Sequence, residues 1–177
     1  MIKSYCKINL SLKILKKLQN GMHNIQSNIV LINVFDEIKI SRINKNKDKI
    51  IFKGQFKHLL KNKRNTITET MKVLRKKNYI KSFYKIVVNK KIPVFAGLGG
   101  GSSNSAFLIR YFVGKNISNL FIKKCQKVIG SDVGVFFRTQ SYQKRLFTFI
   151  NYKKKHKLFI LLVYPNIKCS TKEIYSK

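Results

Sequence analysis

The stretch from Ile92 to Asn104, IPVFAGLGGGSSN, constrains this chain more than any other. Gly97, Gly99, Gly100 and Gly101 crowd into it behind Pro93. An alternating apolar run (Tyr84, Ile86, Val88) precedes it and a helical pattern from Ala106 to Phe112 follows, so the order is strand, glycine loop, helix. Residues without a Cβ let the backbone approach a ligand closely, and the unpaired N–H groups that open a helix attract an anion. Ser102, Ser103 and Asn104 are helix-start residues whose side chains cap such groups or offer oxygens to a phosphate and its magnesium ion. The stretch reads either as a flexible glycine turn or as a phosphate loop. It is not a Walker loop, which ends in Gly-Lys-Ser/Thr, and it lacks the strand-first GxGxxG fingerprint.

The N-terminal half is β-rich. From Tyr5 to Leu15, Ile8, Leu10, Leu12 and Ile14 fall on one strand face, which groups Lys7, Asn9, Ser11 and Lys13 on the other. Asn20-Gly21-Met22-His23 marks a turn, and Ile25 to Ile43 holds two apolar runs around Asp36 and Glu37. Ile50 to Phe52 is a short strand closed by Gly54. Thr66 and Glu69 stand at capping-box spacing before a helix that puts Ile67, Met71 and Leu74 on one face. A further helix, Ser118 to Ile129, stops at Gly130. Leu158 to Val163 suits a buried strand.

Composition excludes more than it selects. A formal charge of +32 over 177 residues invites a nucleic-acid reading. Lysine, however, is spread through nearly every segment together with isoleucine and asparagine, arginine is scarce, and no helix-turn-helix, zinc-finger, RNP or KH signature is present. Specific nucleic-acid binding is therefore not expected, though loose adhesion to polyanions at low salt is. No apolar run approaches the ~18 residues of a membrane span, and no signal-peptide pattern opens the chain. Cys6, Cys125 and Cys169 lack CxxC spacing, which favours neither a disulfide framework nor a zinc site. These features predict a cytoplasmic protein. Of its six acids, Asp132 alone sits among glycine and apolar residues, as a tuned carboxylate or as a helix N-cap.

Pro93 and Ala96-Gly97-Leu98-Gly99-Gly100-Gly101-Ser102-Ser103 resemble the phosphate loop of the GHMP kinases, and most of all the branch acting on 4-diphosphocytidyl-2-C-methylerythritol. Cys6-Lys7-Ile8-Asn9-Leu10 is similar to the opening strand motif of that family. There the lysine lies beside the transferred phosphate, and the asparagine shares the active site. Asn20-Gly21-Met22-His23 resembles its Asp-Gly-Tyr-His element, which holds cytosine, with Met22 in place of the tyrosine. Gly130-Ser131-Asp132-Val133-Gly134-Val135-Phe136 resembles the segment that carries the catalytic aspartate, with Gly134 where proline is usual. Asn65 matches an asparagine near the nucleotide, and Thr171 and Tyr175 match pocket-lining positions.

The resemblance implies an α+β fold, the GHMP-kinase N-terminal domain related to domain 2 of ribosomal protein S5, with a mostly antiparallel sheet and helices on one face. It implies ATP-binding residues over 1–155, and over 156–177 the start of a C-terminal domain whose remainder is absent or comes from a separate chain. The implied reaction moves the terminal phosphoryl of ATP, with Mg2+, to a hydroxyl of a substrate bearing a cytidine diphosphate group. Lys7 and Asp132 would be catalytic, Asn9, His23, Thr171 and Tyr175 substrate-binding, and Ser103 a magnesium ligand. A remnant that binds nucleotide without turnover is the alternative.

Overall fold

Two long alternating segments build the frame. In the computed structural model, which describes residues 1–19, 21–57 and 65–165, β1 (Ile2–Lys17) and β2 (His23–Ile43) form an antiparallel ribbon. Its register slips between Tyr5 and Cys6, between Asn9 and Ser11, and again between Ile14 and Lys16. β2 is the hub of the sheet. It also pairs antiparallel with β4 (Phe83–Asn89) through residues 37–43 and with β5 (Gln140–Arg145) through residues 27–30. β3 (Lys49–Lys53) adds to β4 in parallel, and β6 (Thr148–Asn151) adds to β5. The sheet is mixed and mostly antiparallel, in the order β3-β4-β2-β5-β6 with β1 on β2.

Helices α1 (Thr66–Lys76), α2 (Gly100–Val113) and α3 (Asn119–Val128) share one core with the sheet. α1 turns Ile67, Met71 and Leu74 inward, at the four- and three-residue spacing of one helical face. α2 is the central helix, since Ala106, Leu108 and Ile109 have no exposed surface. Ile38, Ile86 and Val88 meet it from the sheet, and Val133, Val135 and Phe136 from a 3₁₀ turn over Ser131–Phe137. Each such side chain contributes about 1.5–3 kcal/mol on burial. A second, smaller cluster of Cys6, Ile92 and Leu98 seats the glycine loop on β1.

Three expectations are corrected. The N-cap of α1 is Asn65, which accepts the Thr68 N–H at 2.9 Å, and not Thr66, whose hydroxyl instead donates to the Gly101 carbonyl at 2.9 Å. α2 begins inside the glycine run, at Gly100, and not at the serines. Leu158 to Val163 is no buried strand. It pairs with no strand among the described residues, and Phe159, Leu161 and Val163 are 88%, 89% and 76% exposed.

Candidate functional site

The glycine loop presents an open helix start. Gly99 is the N-cap of α2 with φ 69°, in the left-handed region, and no side chain caps the helix. The Ser103 N–H bonds the Gly99 carbonyl at 2.8 Å, so the amides of Gly100, Gly101 and Ser102 precede the helical ladder. No acidic residue lies in this turn to compete for an anion. A Cβ on Gly99 would meet Phe136 Cζ at 2.7 Å, one on Gly100 would meet Ile92 at 3.2 Å, and one on Gly101 would meet Thr66 Oγ1 at 3.3 Å. Gly99 is thus demanded by its positive φ and the Phe136 ring, while a side chain at Gly100 or Gly101 would crowd Ile92 or Thr66 by a few tenths of an ångström. Leu98 is buried beneath the loop, and its carbonyl accepts the Lys7 N–H at 3.1 Å. Pro93 and Ala96 flank the loop entry, with Ala96 packed against the small cluster of Cys6, Ile92 and Leu98.

Ser103 does not fit the metal-binding expectation. Its hydroxyl is fully buried, bonds the Tyr5 carbonyl at 2.5 Å and shares a 2.7 Å bond with Ser4 Oγ. It fastens α2 to β1. Ser102 is the half-exposed hydroxyl, and a Cβ on Gly130 would lie 3.5 Å from its Oγ, which places it beside the turn that carries Asp132.

Lys7 and Asp132 meet at this loop. Lys7 Nζ stands 3.7 Å from Asp132 Oδ2, with the lysine side chain 10% and the aspartate 39% exposed. Asp132 lies within the first turn of the 3₁₀ segment whose N-cap is Gly130, so it is not itself the cap. Lys7 also donates to Asn9 Oδ1, Asn9 Nδ2 donates to Ser27 Oγ at 2.5 Å, and Ser27 Oγ donates to the Ser11 carbonyl at 2.6 Å. This relay orients the ammonium and leaves the carboxylate accessible. An anion at the α2 start, a cation beside it and an open carboxylate opposite suit phosphoryl transfer to an incoming hydroxyl.

The remaining residues are more widely placed. Asn65 lines a cavity of about 1230 Å³ between β3 and α1, and Thr66 links the end of that cavity to Gly101. His23 pairs with Lys17, whereas Lys7 pairs with Leu31. The structure therefore does not bring His23 to Lys7: eight strand residues separate them, roughly 26 Å along β2. Thr171 and Tyr175 lie outside the described residues.

Sequence reasoning missed two contributors. Ser27, fully buried, completes the Lys7–Asn9 relay, and its signal was a hydroxyl at an apolar position of the alternating run Ile25, Ser27, Ile29. Asp36, also fully buried, contacts Lys90 Nζ and accepts the N–H groups of Lys91 at 2.8 Å and Ile92 at 2.9 Å. It anchors the entry to the loop, and its partners lie more than fifty positions away in sequence.

Residues 65–134 match the GHMP kinases N terminal domain. Over 99% of its length the chain is 38% identical to a 4-diphosphocytidyl-2-C-methyl-D-erythritol kinase of Pelagibacter ubique, of which it spans 64%. It is 32% identical to the kinase of the same description from Finegoldia magna over 98% of this chain and 64% of that one. Among solved structures, a 4-(cytidine 5'-diphospho)-2C-methyl-D-erythritol kinase superposes with a TM-score of 0.66 at 18% identity, covering 99% of this chain and 63% of its own. Methanococcus jannaschii mevalonate kinase does so with a TM-score of 0.54 at 18% identity, covering 86% and 55%. The chain spans less than two thirds of the length of these relatives.

Proposed function

Since the chain belongs to the GHMP kinase family, we propose that it serves the ATP-dependent phosphorylation of a hydroxyl of 4-diphosphocytidyl-2-C-methyl-D-erythritol, in non-mevalonate isoprenoid precursor synthesis. The observation that carries this reading is the convergence of Lys7 and Asp132, 3.7 Å apart, on an uncapped glycine helix start.

Phosphoryl transfer asks a protein for positioning and charge stabilisation. The amides of Gly100, Gly101 and Ser102 would hold the triphosphate, and the cavity at Asn65 would take the nucleoside. Lys7, steered by Asn9, would offset charge on the phosphoryl oxygens, while Asp132 would orient the substrate hydroxyl and accept its proton at a carboxylate oxygen. Magnesium, when bound with ATP, would neutralise phosphate charge. Such an ion keeps most of its waters and phosphate ligands and needs only one or two protein oxygens, for which Ser102 Oγ and the exposed Asp132 carboxylate fit and Ser103 does not. His23, at the far end of the β1–β2 ribbon, would meet the cytosine of a substrate laid along it.

Residues 1–155 form the nucleotide-binding portion in this reading, and 156–177 open a second domain. The bare row of Phe159, Leu161 and Val163 supports this, since an apolar edge of that kind needs cover. The test is transfer from labelled ATP to 4-diphosphocytidyl-2-C-methyl-D-erythritol, with the chain alone and with a separately expressed C-terminal half. Turnover that vanishes in Asp132→Asn supports the reading. No turnover in either arrangement, with nucleotide still bound, favours a nucleotide-binding remnant.

A further inference from the structure

Helices α1 and α2 begin side by side, and their first turns are joined by hydroxyl bonds that run in both directions. Thr66, the first residue of α1, has no capping duty, because Asn65 takes it by accepting the Thr68 N–H. Its hydroxyl leaves its own helix and donates to the Gly101 carbonyl of α2 at 2.9 Å. Ser105, one turn further along α2 and fully buried, answers from the other side, with its Oγ 3.2 Å from the carbonyl oxygens of both Thr66 and Gly101. Thr70 Oγ1 also donates to the Thr66 carbonyl, at 2.7 Å. A Cβ on Gly101 would lie 3.3 Å from Thr66 Oγ1 and 3.5 Å from its Cγ2, so a glycine there gives α1 its close approach.

Deeper in, the two helices meet through the apolar core, where Ile67, Met71 and Leu74 share one cluster with Ala106, Leu108 and Ile109. Apolar contact is non-directional and sets how far apart two helices lie more than how one is placed along the other. Hydrogen bonds are directional, and a pair that crosses both ways fixes one helix start against the other. The two helices carry different halves of the proposed nucleotide site. α1 forms a wall of the cavity of about 1230 Å³ through Asn65, Thr68 and Met71, whereas α2 presents the amides of Gly100, Gly101 and Ser102. A ligand with a nucleoside and a phosphate chain touches both helices; a bare polyphosphate touches α2 alone. Fixed spacing favours the spanning ligand, whose second contact then needs no further ordering.

We propose that Thr66, with Ser105 behind it, is a positioning residue that fixes the nucleoside cavity against the phosphate loop, so that the chain selects a nucleotide over a bare polyphosphate. This rests on the reading of that cavity and loop as an ATP site. Thr66 does not itself line the cavity; it acts through the Gly101 carbonyl and through the wall that α1 provides.

The test compares ATP with inorganic tripolyphosphate, both with Mg2+, by calorimetric titration of the full chain and of T66V, T66S and S105A. Valine keeps the branched shape of threonine and replaces its hydroxyl with a methyl, while serine keeps the hydroxyl. The expected result is ATP affinity weakened about three- to tenfold in T66V, the scale of one neutral hydrogen bond, with tripolyphosphate affinity unchanged within about twofold. T66S should return both affinities to near the wild-type values, and S105A should move as T66V does, by less. Thermal melts accompany each variant, and if T66V melts far below the wild type, S105A carries the comparison. Unchanged ATP affinity in T66V and S105A, an equal loss for both ligands, or a T66S variant as weak as T66V overturns the proposal. Failure of the underlying reading looks different: the wild-type chain itself then binds ATP no more tightly than tripolyphosphate, or binds neither, and the proposal falls with it.

Discussion

Two lysine–aspartate pairs flank the phosphate loop, and they differ in almost every physical respect. A Cβ on Gly99 would lie 3.4 Å from Lys7 Cγ, and one on Gly100 would lie 3.4 Å from Lys90 Nζ, so the pairs stand on adjacent residues of one turn. Lys90 and Asp36 are in direct contact and sealed, with side chains 4% and 0% exposed. Both carboxylate oxygens of Asp36 are engaged, one by Lys90 and one by two backbone N–H groups. Lys7 and Asp132 stand 3.7 Å apart, with the aspartate 39% exposed. A sealed pair with every partner satisfied adds little net stability yet is costly to break by halves, whereas a half-open pair is worth ~0–1 kcal/mol. The closed pair fixes the loop; the open pair is left with capacity for chemistry.

Breaking the closed pair has the largest expected effect. Asp36→Ala strands a buried ammonium and should cost about 3–5 kcal/mol in urea unfolding. Asp36→Asn with Lys90→Met removes both charges and should recover most of that loss. Failure of the double variant to recover would mean that the ion pair itself, and not the two N–H bonds that the amide oxygen still accepts, holds the segment.

Breaking the open pair should leave the fold alone. Asp132→Asn is expected to lower phosphoryl transfer about 10²–10⁴-fold with an unchanged melting temperature and nucleotide affinity within about twofold. A variant that melts much earlier would place Asp132 with Asp36 as a structural acid.

The loop between the pairs comes next. Gly99→Ala meets a positive φ and the Phe136 ring at 2.7 Å. It should destabilise by about 1–2 kcal/mol and weaken binding of a fluorescent ATP analogue at least tenfold, as the left-handed turn opens. Unchanged binding would remove the helix start from the site.

The smallest effect concerns Cys6, which neighbours both pairs. Burial pushes its thiol up from 9.0 to about 11, with Asp36 a lesser contributor in the same direction, and burial does the same for Cys125. Below pH 9 the folded and unfolded chains both hold these protons. Between pH 9 and 11 only the unfolded chain releases them, so stability should fall as pH rises through that window. Cys125→Ala should flatten the slope of unfolding free energy against pH, measured by urea unfolding across that window.

Legibility in the sequence followed the range of each interaction. Lys7 and Asn9 were paired by strand periodicity, because residues two apart share a face whatever surrounds them. The glycine loop and the ends of α3 were legible for the same reason, their signals lying within a few residues. The cap of α1 was misplaced by one position because Asn65 and Thr66 are both capping residues, and the choice fell to Gly101, whose carbonyl draws the Thr66 hydroxyl away. Ser103 was misread likewise, since its hydroxyl answers to Tyr5 and Ser4 on β1, nearly one hundred residues earlier.

Local grammar is written along the chain: alternating strands, a glycine-rich helix start, and the residues able to face a phosphate. Which of those residues are free to act depends on packing between distant segments. A carboxylate or hydroxyl is available for chemistry when its neighbours leave it lone pairs, protons and access to solvent, and those neighbours come from distant parts of the chain. Asp132 and Ser102 remain open, while Asp36 and Ser103, of the same residue types and beside the same loop, are engaged in holding it in place.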